Sequence, residues 1–143
     1  MDIKELLETA TKKLGCKLND FGGQGKYFNM VVSLENNRSQ HVFSLMVKGN
    51  VYIRFLSFFG SAHILTLDAA TALLKMNLSM TGVANAILDW DLGDGLGSVP
   101  RLVVVGEQLF ATADLDEIID KIKTVAQQAD SLEKLITGGG DRL

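Results

Sequence analysis

The chain has 143 residues and a mass of 15.5 kDa, which suits one domain. Its hydrophobic fraction of 47% supplies enough apolar material for a buried core, and a single proline argues against long disordered segments. The formal net charge of −3 comes from residues scattered along the chain without a Lys/Arg block, so nucleic acid is not an expected partner.

Cysteine content and hydropathy bear on the compartment. Cys16 is the only cysteine, so neither an intramolecular disulfide nor a cysteine-based zinc site can form within one chain. The N-terminal residues are charged where a signal peptide would be apolar, and no apolar run approaches the roughly 20 residues of a membrane helix. We therefore expect a cytoplasmic protein that does not associate with a membrane.

The first predicted elements are a helix and three strands. Apolar residues at helical spacing predict an amphipathic helix over residues 2–14, which Gly15 ends. Residues 19–25 are expected to form a flexible connection. Alternating apolar residues then predict three strands in an antiparallel meander, with turns at Asn36-Asn37 and Gly49-Asn50.

The second face of this meander is more apolar than a solvated face requires. We assign to it seven side chains from the three strands: Val31, Val42, Met46, Tyr52, Arg54, Leu56 and Phe58. Large exposed apolar patches are uncommon on monomers. We therefore expect the chain's own helices to cover one side of the sheet, and a loop or a second subunit to cover the other.

The stretch from Thr66 to Asp91 predicts a helix that ends in small residues and is followed by a strand. Thr66 is expected to cap the helix, and Asn77 and Gly82 weaken it. Residues 83–90 then suit a strand that lies against a core. The apolar stripe of the helix consists of Leu67, Ala70, Leu73, Leu74 and Leu78.

The last third of the chain predicts one more strand and a long helix. A glycine-rich loop ends at Pro100, and residues 101–105 are predicted as a fifth strand that Gly106 breaks. Asp114 followed by Glu117 is a variant of the capping box, so a helix is expected over residues 115–136. We place the domain at residues 1–137 and a flexible tail at 138–143. The fold class is therefore α+β, a single domain in the order α-β-β-β-α-β-β-α with an antiparallel sheet flanked by helices.

This order of elements, with the run Leu73-Leu74-Lys75-Met76-Asn77 followed by Gly82 and a strand, resembles the type III secretion chaperone-like fold. In particular it is similar to the YbjN-like family of bacterial sensory-transduction regulators. The resemblance covers nearly the whole chain, although the loop from Leu92 to Pro100 is longer than is usual there. It implies a homodimeric protein without catalysis that holds another polypeptide on apolar surface.

The resemblance also implies where a dimer contact lies, because secretion chaperones usually pair through the second helix and the following strand. In this chain the corresponding residues are Leu73, Met76, Leu78, Ala84, Ala86 and Leu88. The alternative is that each of them belongs to the ordinary core of one subunit.

One glycine-rich segment resembles a phosphate-binding loop. It is Gly22-Gly23-Gln24-Gly25-Lys26, but Asp20 stands where the first glycine should be. The segment also precedes a strand, whereas phosphate loops open helices. A flexible loop is the simpler interpretation.

Acidic and histidine residues offer little more. Asp89, Asp91 and Asp94 could bind a hard cation, but their spacing does not fit an EF-hand loop, and solvated loop acids are the simpler interpretation. His41 and His63 are too few for a histidine cluster. We therefore predict no catalytic residue, no metal and no cofactor.

Two functions remain open from the sequence. The favoured one is a non-catalytic interaction module, a cytoplasmic homodimer that engages a protein partner as a chaperone or a regulator. The alternative is a small-molecule-binding protein or enzyme with a pocket between sheet and helices, closed by the loops at 19–25 and 92–100.

Overall fold

The structure is a computed structural model that describes residues 2–21, 23–93 and 95–137. Over these residues the chain forms three α-helices and six strands in a single antiparallel sheet of order β1-β2-β3-β4-β6-β5. The α+β class and the flanking helices are therefore confirmed. The elements are α1 (Ile3–Leu14), β1 (Leu18–Phe21), β2 (Tyr27–Ser33), β3 (Ser39–Val47), β4 (Tyr52–Ser61), α2 (Leu67–Met76), β5 (Val83–Asp91), β6 (Ser98–Leu109) and α3 (Leu115–Thr137).

The helices begin and end where their capping residues predict. The Asp2 carboxylate accepts the backbone N–H of Glu5 at 2.8 Å, and Gly15 ends α1 with a φ of 72°. At the start of α3 the Asp114 carboxylate accepts the N–H of Glu117 at 2.8 Å, so the predicted cap is confirmed. These bonds satisfy backbone groups that have no partner within the helix.

Helices α1 and α3 cover one face of the sheet and enclose the main core. Every second residue of the central strands points into this layer, where the helices contribute Leu7, Ile118, Ile122 and Val125. The largest sheet residues in it are Phe28, Met30, Ile53, Phe55 and Phe59, each fully buried. The layer between sheet and helices is therefore filled by side chains.

The connection predicted over residues 19–25 is partly a strand. Leu18 to Phe21 pair with Tyr27 to Met30 as the edge strand β1. The Asp20 carboxylate accepts the N–H of Gly25 at 3.1 Å and so closes the hairpin turn. A four-residue strand is too short to show an alternating pattern, so the sequence does not predict it. Gly22 lies outside the described residues.

The prediction that Gly106 breaks its strand was wrong, since β6 continues to Leu109. A Cβ atom at Gly106 would lie 2.9 Å from Cδ of Lys121 and 3.1 Å from Cγ2 of Val125, both on α3. The glycine therefore lets α3 pack closely against β6. Its role is tertiary and leaves no local signal in the sequence.

The apolar residues of the meander are distributed over the two faces of the sheet differently from the prediction. Phe43 pairs with Leu56, whereas Met46 pairs with Ile53. Val42 and Met46 therefore belong to the helix-covered core, and Phe43 takes their place beside Leu56. Alternation within one strand does not determine its register against the next strand, so the sequence could not assign shared faces.

The predicted apolar stripe of α2 is only half correct. None of its ten residues is buried; Leu73 is half-buried against the core, whereas Leu67 and Leu74 are 83% and 67% exposed. Leu78, in the turn after the helix, is 92% exposed. Helix α2 thus lies beside the edge strand β5 and keeps a row of leucines in solvent.

Candidate functional site

The face of the sheet opposite α1 and α3, which we call the open face, carries a second apolar cluster. Leu56, Phe58 and Val103 are buried at its centre, and Phe58 is 9% exposed. The half-buried side chains around them all come from strands, and no helix of the described chain contributes to the cluster. They are Phe43, Leu45, Leu88, Trp90 and Val105.

Aromatic side chains cross the open face from one edge of the sheet to the other. Phe21 of β1 stacks on Phe43 of β3 with ring centroids 5.9 Å apart, and Phe43 lies 6.0 Å from Trp90 of β5. Phe58 contacts both Phe43 and Trp90 at 5.7 Å. Strands β1 and β5 are opposite edges of the sheet, and adjacent strands lie about 4.8 Å apart. These ring contacts therefore join residues of strands that are not neighbours in the sheet.

Two clefts lie on the open face. The first, the aromatic cleft, has a volume of about 570 Å³ and is lined by Phe21, Tyr27, Phe43, Trp90 and the acidic residues Asp89 and Asp91, among others. The second, the β5 cleft, has a volume of about 590 Å³ and is lined by Leu56, Ala84, Ala86, Leu88 and Val103, with Arg54 and Glu107. Both volumes fall within the range of ligand-binding pockets, roughly 300–1,000 Å³.

A small ion-pair network borders the β5 cleft. Oε1 of Glu107 lies 2.7 Å from Nζ of Lys48, and its Oε2 lies 2.7 Å from an Nη atom of Arg54. Partial burial alone would raise the pKa of the Glu107 carboxyl, but hydrogen bonds and charge from these two cations hold that pKa below its usual value. The rim therefore keeps a fixed carboxylate at neutral pH.

The structure separates the six residues proposed for a dimer contact. Ala84, Ala86 and Leu88 lie together on the open face and line the β5 cleft. Leu78 lies in the connection before β5 and is exposed. The remaining two, Leu73 and Met76, are half-buried against the helix-covered core. Nothing in the structure tests the contact itself, which stays a prediction.

The other candidate residues are placed as follows. The glycine-rich segment that resembles a phosphate-binding loop joins β1 to β2, with Gly22 outside the described part. Asp94 also lies outside it, and elsewhere no group of three or more His, Cys, Asp or Glu residues could hold a metal ion. Nδ1 of His41 lies 3.2 Å from Nδ2 of Asn29. Burial raises the pKa of the Cys16 thiol, an effect only partly offset by a backbone hydrogen bond.

Sequence reasoning missed the aromatic cluster. Phe21, Phe43 and Trp90 are separated by 20 or more positions and lie on three different strands. In the sequence they share only one feature: each is an aromatic residue at a position of its strand whose side chain points to the open face. Which positions point to that face depends on the register between strands.

The comparisons with known proteins define the fold. A chain of the HopA1–SchA chaperone–effector complex superposes with a TM-score of 0.62 at 10% identity, covering 92% of each chain. YbjN from E. coli superposes with a TM-score of 0.57 at 14% identity, covering 94% of this chain and 88% of that one. The chain therefore has the type III secretion chaperone-like fold, shared with YbjN.

A third structure, an uncharacterized protein from Methanothermobacter thermautotrophicus, has a TM-score of 0.54 at 16% identity and covers 94% of this chain and 96% of its own. No protein-family model matches the sequence, and no curated protein matches it either. Identities this low describe the fold alone. Within the described residues, no helix combines the length and hydropathy that a membrane span requires.

Proposed function

We propose that this chain is a non-catalytic protein-binding module, a chaperone-like protein or regulatory adaptor, which acts as a cytoplasmic homodimer. The observation that carries the proposal is the open face, where an apolar cluster lies on the sheet without a helix from the described chain over it. Contiguous apolar patches on a protein surface mark interaction sites. The likeness to a chain of a chaperone–effector complex supports the same class of function.

The surface around β5 is the part of the molecule best suited to a second subunit. On one side of the strand, Leu67 and Leu74 of α2 and Leu78 of the following turn are exposed to solvent. On the other side, Ala86 and Leu88 line the β5 cleft. An edge strand between two apolar surfaces can bury both against a copy of itself about a two-fold axis. This arrangement adds Leu67 and Leu74 of α2 to the contact predicted from the sequence.

The test is light scattering coupled to size-exclusion chromatography. We expect the native chain to elute with twice the mass of 15.5 kDa. Leu74→Glu and Ala86→Glu should each give a folded monomer, because both side chains are exposed and the substitutions leave the core intact. These variants are more informative than Met76→Glu, since Met76 packs against the core.

Leu135→Glu is the matched control. Leu135 is 75% exposed on α3 and belongs to neither α2 nor β5, so the same change of charge and size should leave the dimer intact. A native chain that remains a monomer at micromolar concentration would contradict the homodimer. Loss of the dimer in Leu135→Glu as well would contradict the position of the contact.

The alternative function, binding of a small molecule, is favoured by one observation: the volume of the two clefts. The expected pocket between sheet and helices is filled by core side chains, so a ligand site would lie on the open face. Residues from the two loops expected to close a pocket, Phe21 and Leu92, do line the aromatic cleft. A ligand that binds only the native state would raise the melting temperature.

A further inference from the structure

We infer that the end of the open face bordered by Lys48 and Arg54, which we call the cationic end, binds an acidic side chain of a partner polypeptide, whose neighbouring apolar side chains lie over the β5 cleft. This inference rests on the proposed function, since it names the chemistry of the partner at one place on the open face. The charges of that face, the strand register and the exposure of the two cations support it.

Two cations meet one carboxylate at the cationic end. Glu107 pairs with Lys48 through Oε1 and with Arg54 through Oε2, both at 2.7 Å. Nζ of Lys48 also lies 5.0 Å from the ring centroid of Tyr52, which is on the same side of β4 as Arg54. Within the described part of the chain, two positive charges against one negative charge leave this group with a surplus of one positive charge.

The other acidic residues of the strands lie on the side of the sheet that the helices cover. Asp20 of β1 lies 3.8 Å from Lys4 of α1. Asp89 and Asp91 alternate along β5 with the open-face residue Leu88, so their side chains point away from the open face. A carboxylate that balances the cationic end therefore has to come from outside the strands.

The strand register places apolar side chains in the row next to these charges. Arg54 lies opposite Leu45 of β3 and Glu107 of β6. Two positions further along β4, Leu56 lies opposite Val105, and both line the β5 cleft together with Arg54. Two residues of a strand span about 7 Å. The matching partner therefore carries a carboxylate about 7 Å from an apolar side chain.

Both cations are accessible to a partner. The side chain of Lys48 is 55% exposed and that of Arg54 is 32% exposed, and ammonium and guanidinium groups both pair with carboxylates. A second copy suits this end less well, because two cationic ends that face each other would bring like charges together. The proposed dimer contact lies elsewhere, on α2 and β5.

The experiment titrates the isotope-labelled protein with three capped pentapeptides and follows the backbone amides of residues 52–56 and 103–107 by NMR. The first peptide is Glu-Ala-Leu-Ala-Leu, and the others carry Gln or Lys in place of Glu. We expect saturable shifts with the Glu peptide, about threefold weaker binding of the Gln peptide and still weaker binding of the Lys peptide. The preference for Glu should disappear at about 1 M salt, where the Debye length is about 3 Å.

Two variants change the surplus charge in opposite directions. Lys48→Gln leaves one cation against one carboxylate, so the Glu peptide should lose most of its advantage over the Gln peptide. Glu107→Gln leaves two cations without a carboxylate, so the Glu peptide should bind about threefold more tightly. Lys123→Gln is the matched control, because it removes a positive charge from the exposed surface of α3 and should change neither affinity.

Several outcomes would overturn the inference. Equal binding of the Glu and Gln peptides to the native protein would show that the charge plays no part, and weaker binding of the Glu peptide to Glu107→Gln would show the same. Loss of the dimer in Lys48→Gln would assign the cationic end to the second subunit instead. A native dimer by light scattering that responds to none of the peptides would overturn the inference and leave the proposed function standing.

Discussion

Replacing Asn77 with alanine removes the side chain that ties α2 to the edge of the sheet. Oδ1 of Asn77 accepts the backbone N–H of Asn85 at 2.7 Å, and its Nδ2 donates to the Asn85 carbonyl oxygen at 3.2 Å. The carboxamide thus occupies the place of a neighbouring strand at one residue of β5. Asn85 in turn donates from its Nδ2 to the Leu73 carbonyl oxygen at 3.1 Å. Because no residue of α2 is fully buried, these hydrogen bonds contribute much of the attachment of the helix to β5.

The expected cost follows from the two bonds that Asn77→Ala removes. A net hydrogen bond contributes about 0.5–1.5 kcal/mol, and water can reach the exposed edge of β5 after the change, so we expect a loss of about 1–2 kcal/mol. For a domain of this size, a loss of that order lowers the melting temperature by roughly 3–8 °C. Asn77→Asp keeps the acceptor but sets an oxygen against the Asn85 carbonyl, so it should lose about as much.

The assay combines urea unfolding with amide hydrogen exchange. Exchange should accelerate over residues 67–76 and stay unchanged in α3, since α2 opens on its own when its tie is lost. Thr81→Ala is the control, because Thr81 is exposed in the same connection between α2 and β5 and lies outside the proposed dimer contact; its unfolding free energy should stay within about 0.5 kcal/mol of the native value. An Asn77→Ala protein with native stability and native exchange in α2 would refute this reasoning.

Three further predictions concern single side chains. Because the pKa of Glu107 is lowered in the fold, its carboxylate stabilises the protein above the unfolded value near 4.5, and this contribution disappears as the pH falls through the lower folded pKa. Glu107→Gln should therefore cost about 1 kcal/mol at pH 7, and this cost should shrink as the pH falls below 4.5, as measured by urea unfolding at each pH. Gly106→Ala should lower the unfolding free energy by about 1–3 kcal/mol, since its Cβ would crowd Lys121 and Val125; native stability would contradict the close packing of α3. The Cys16 thiol should react with iodoacetamide more slowly than free cysteine at pH 8, and its rate should still rise above pH 9, whereas a plateau near pH 8 would disprove the raised pKa.

Much of the secondary structure could be predicted because its causes are local. The caps at Thr66 and Asp114, the glycine at position 15 and the helical spacing of apolar residues act within a few positions of one another. The hairpin turn at Gly49-Asn50 is of the same kind, with both residues at positive φ. These local features can be recognised in the sequence without knowledge of the tertiary structure.

The candidate site was predictable only in part. The sequence, through its family resemblance, implied a subunit contact that includes Ala84, Ala86 and Leu88, and these side chains do line the β5 cleft. It assigned Leu67 and Leu74 to the same apolar stripe as Leu73, but the position of α2 beside β5 leaves them in solvent. Periodicity shows that a helix has an apolar side, but not how much of that side another element covers.

The sequence by itself determined the element types, the antiparallel meander and the α+β class, because these depend on periodicity, caps and turns. Only the tertiary structure decided which residues share the open face, since the register between strands is a long-range property. Phe21, Phe43 and Trp90 make ring contacts although their strands are not neighbours in the sheet, and Gly106 has little room for a side chain because α3 packs over it. Each of these facts depends on residues distant in the chain, whose separation in space is set by packing and not by local preference.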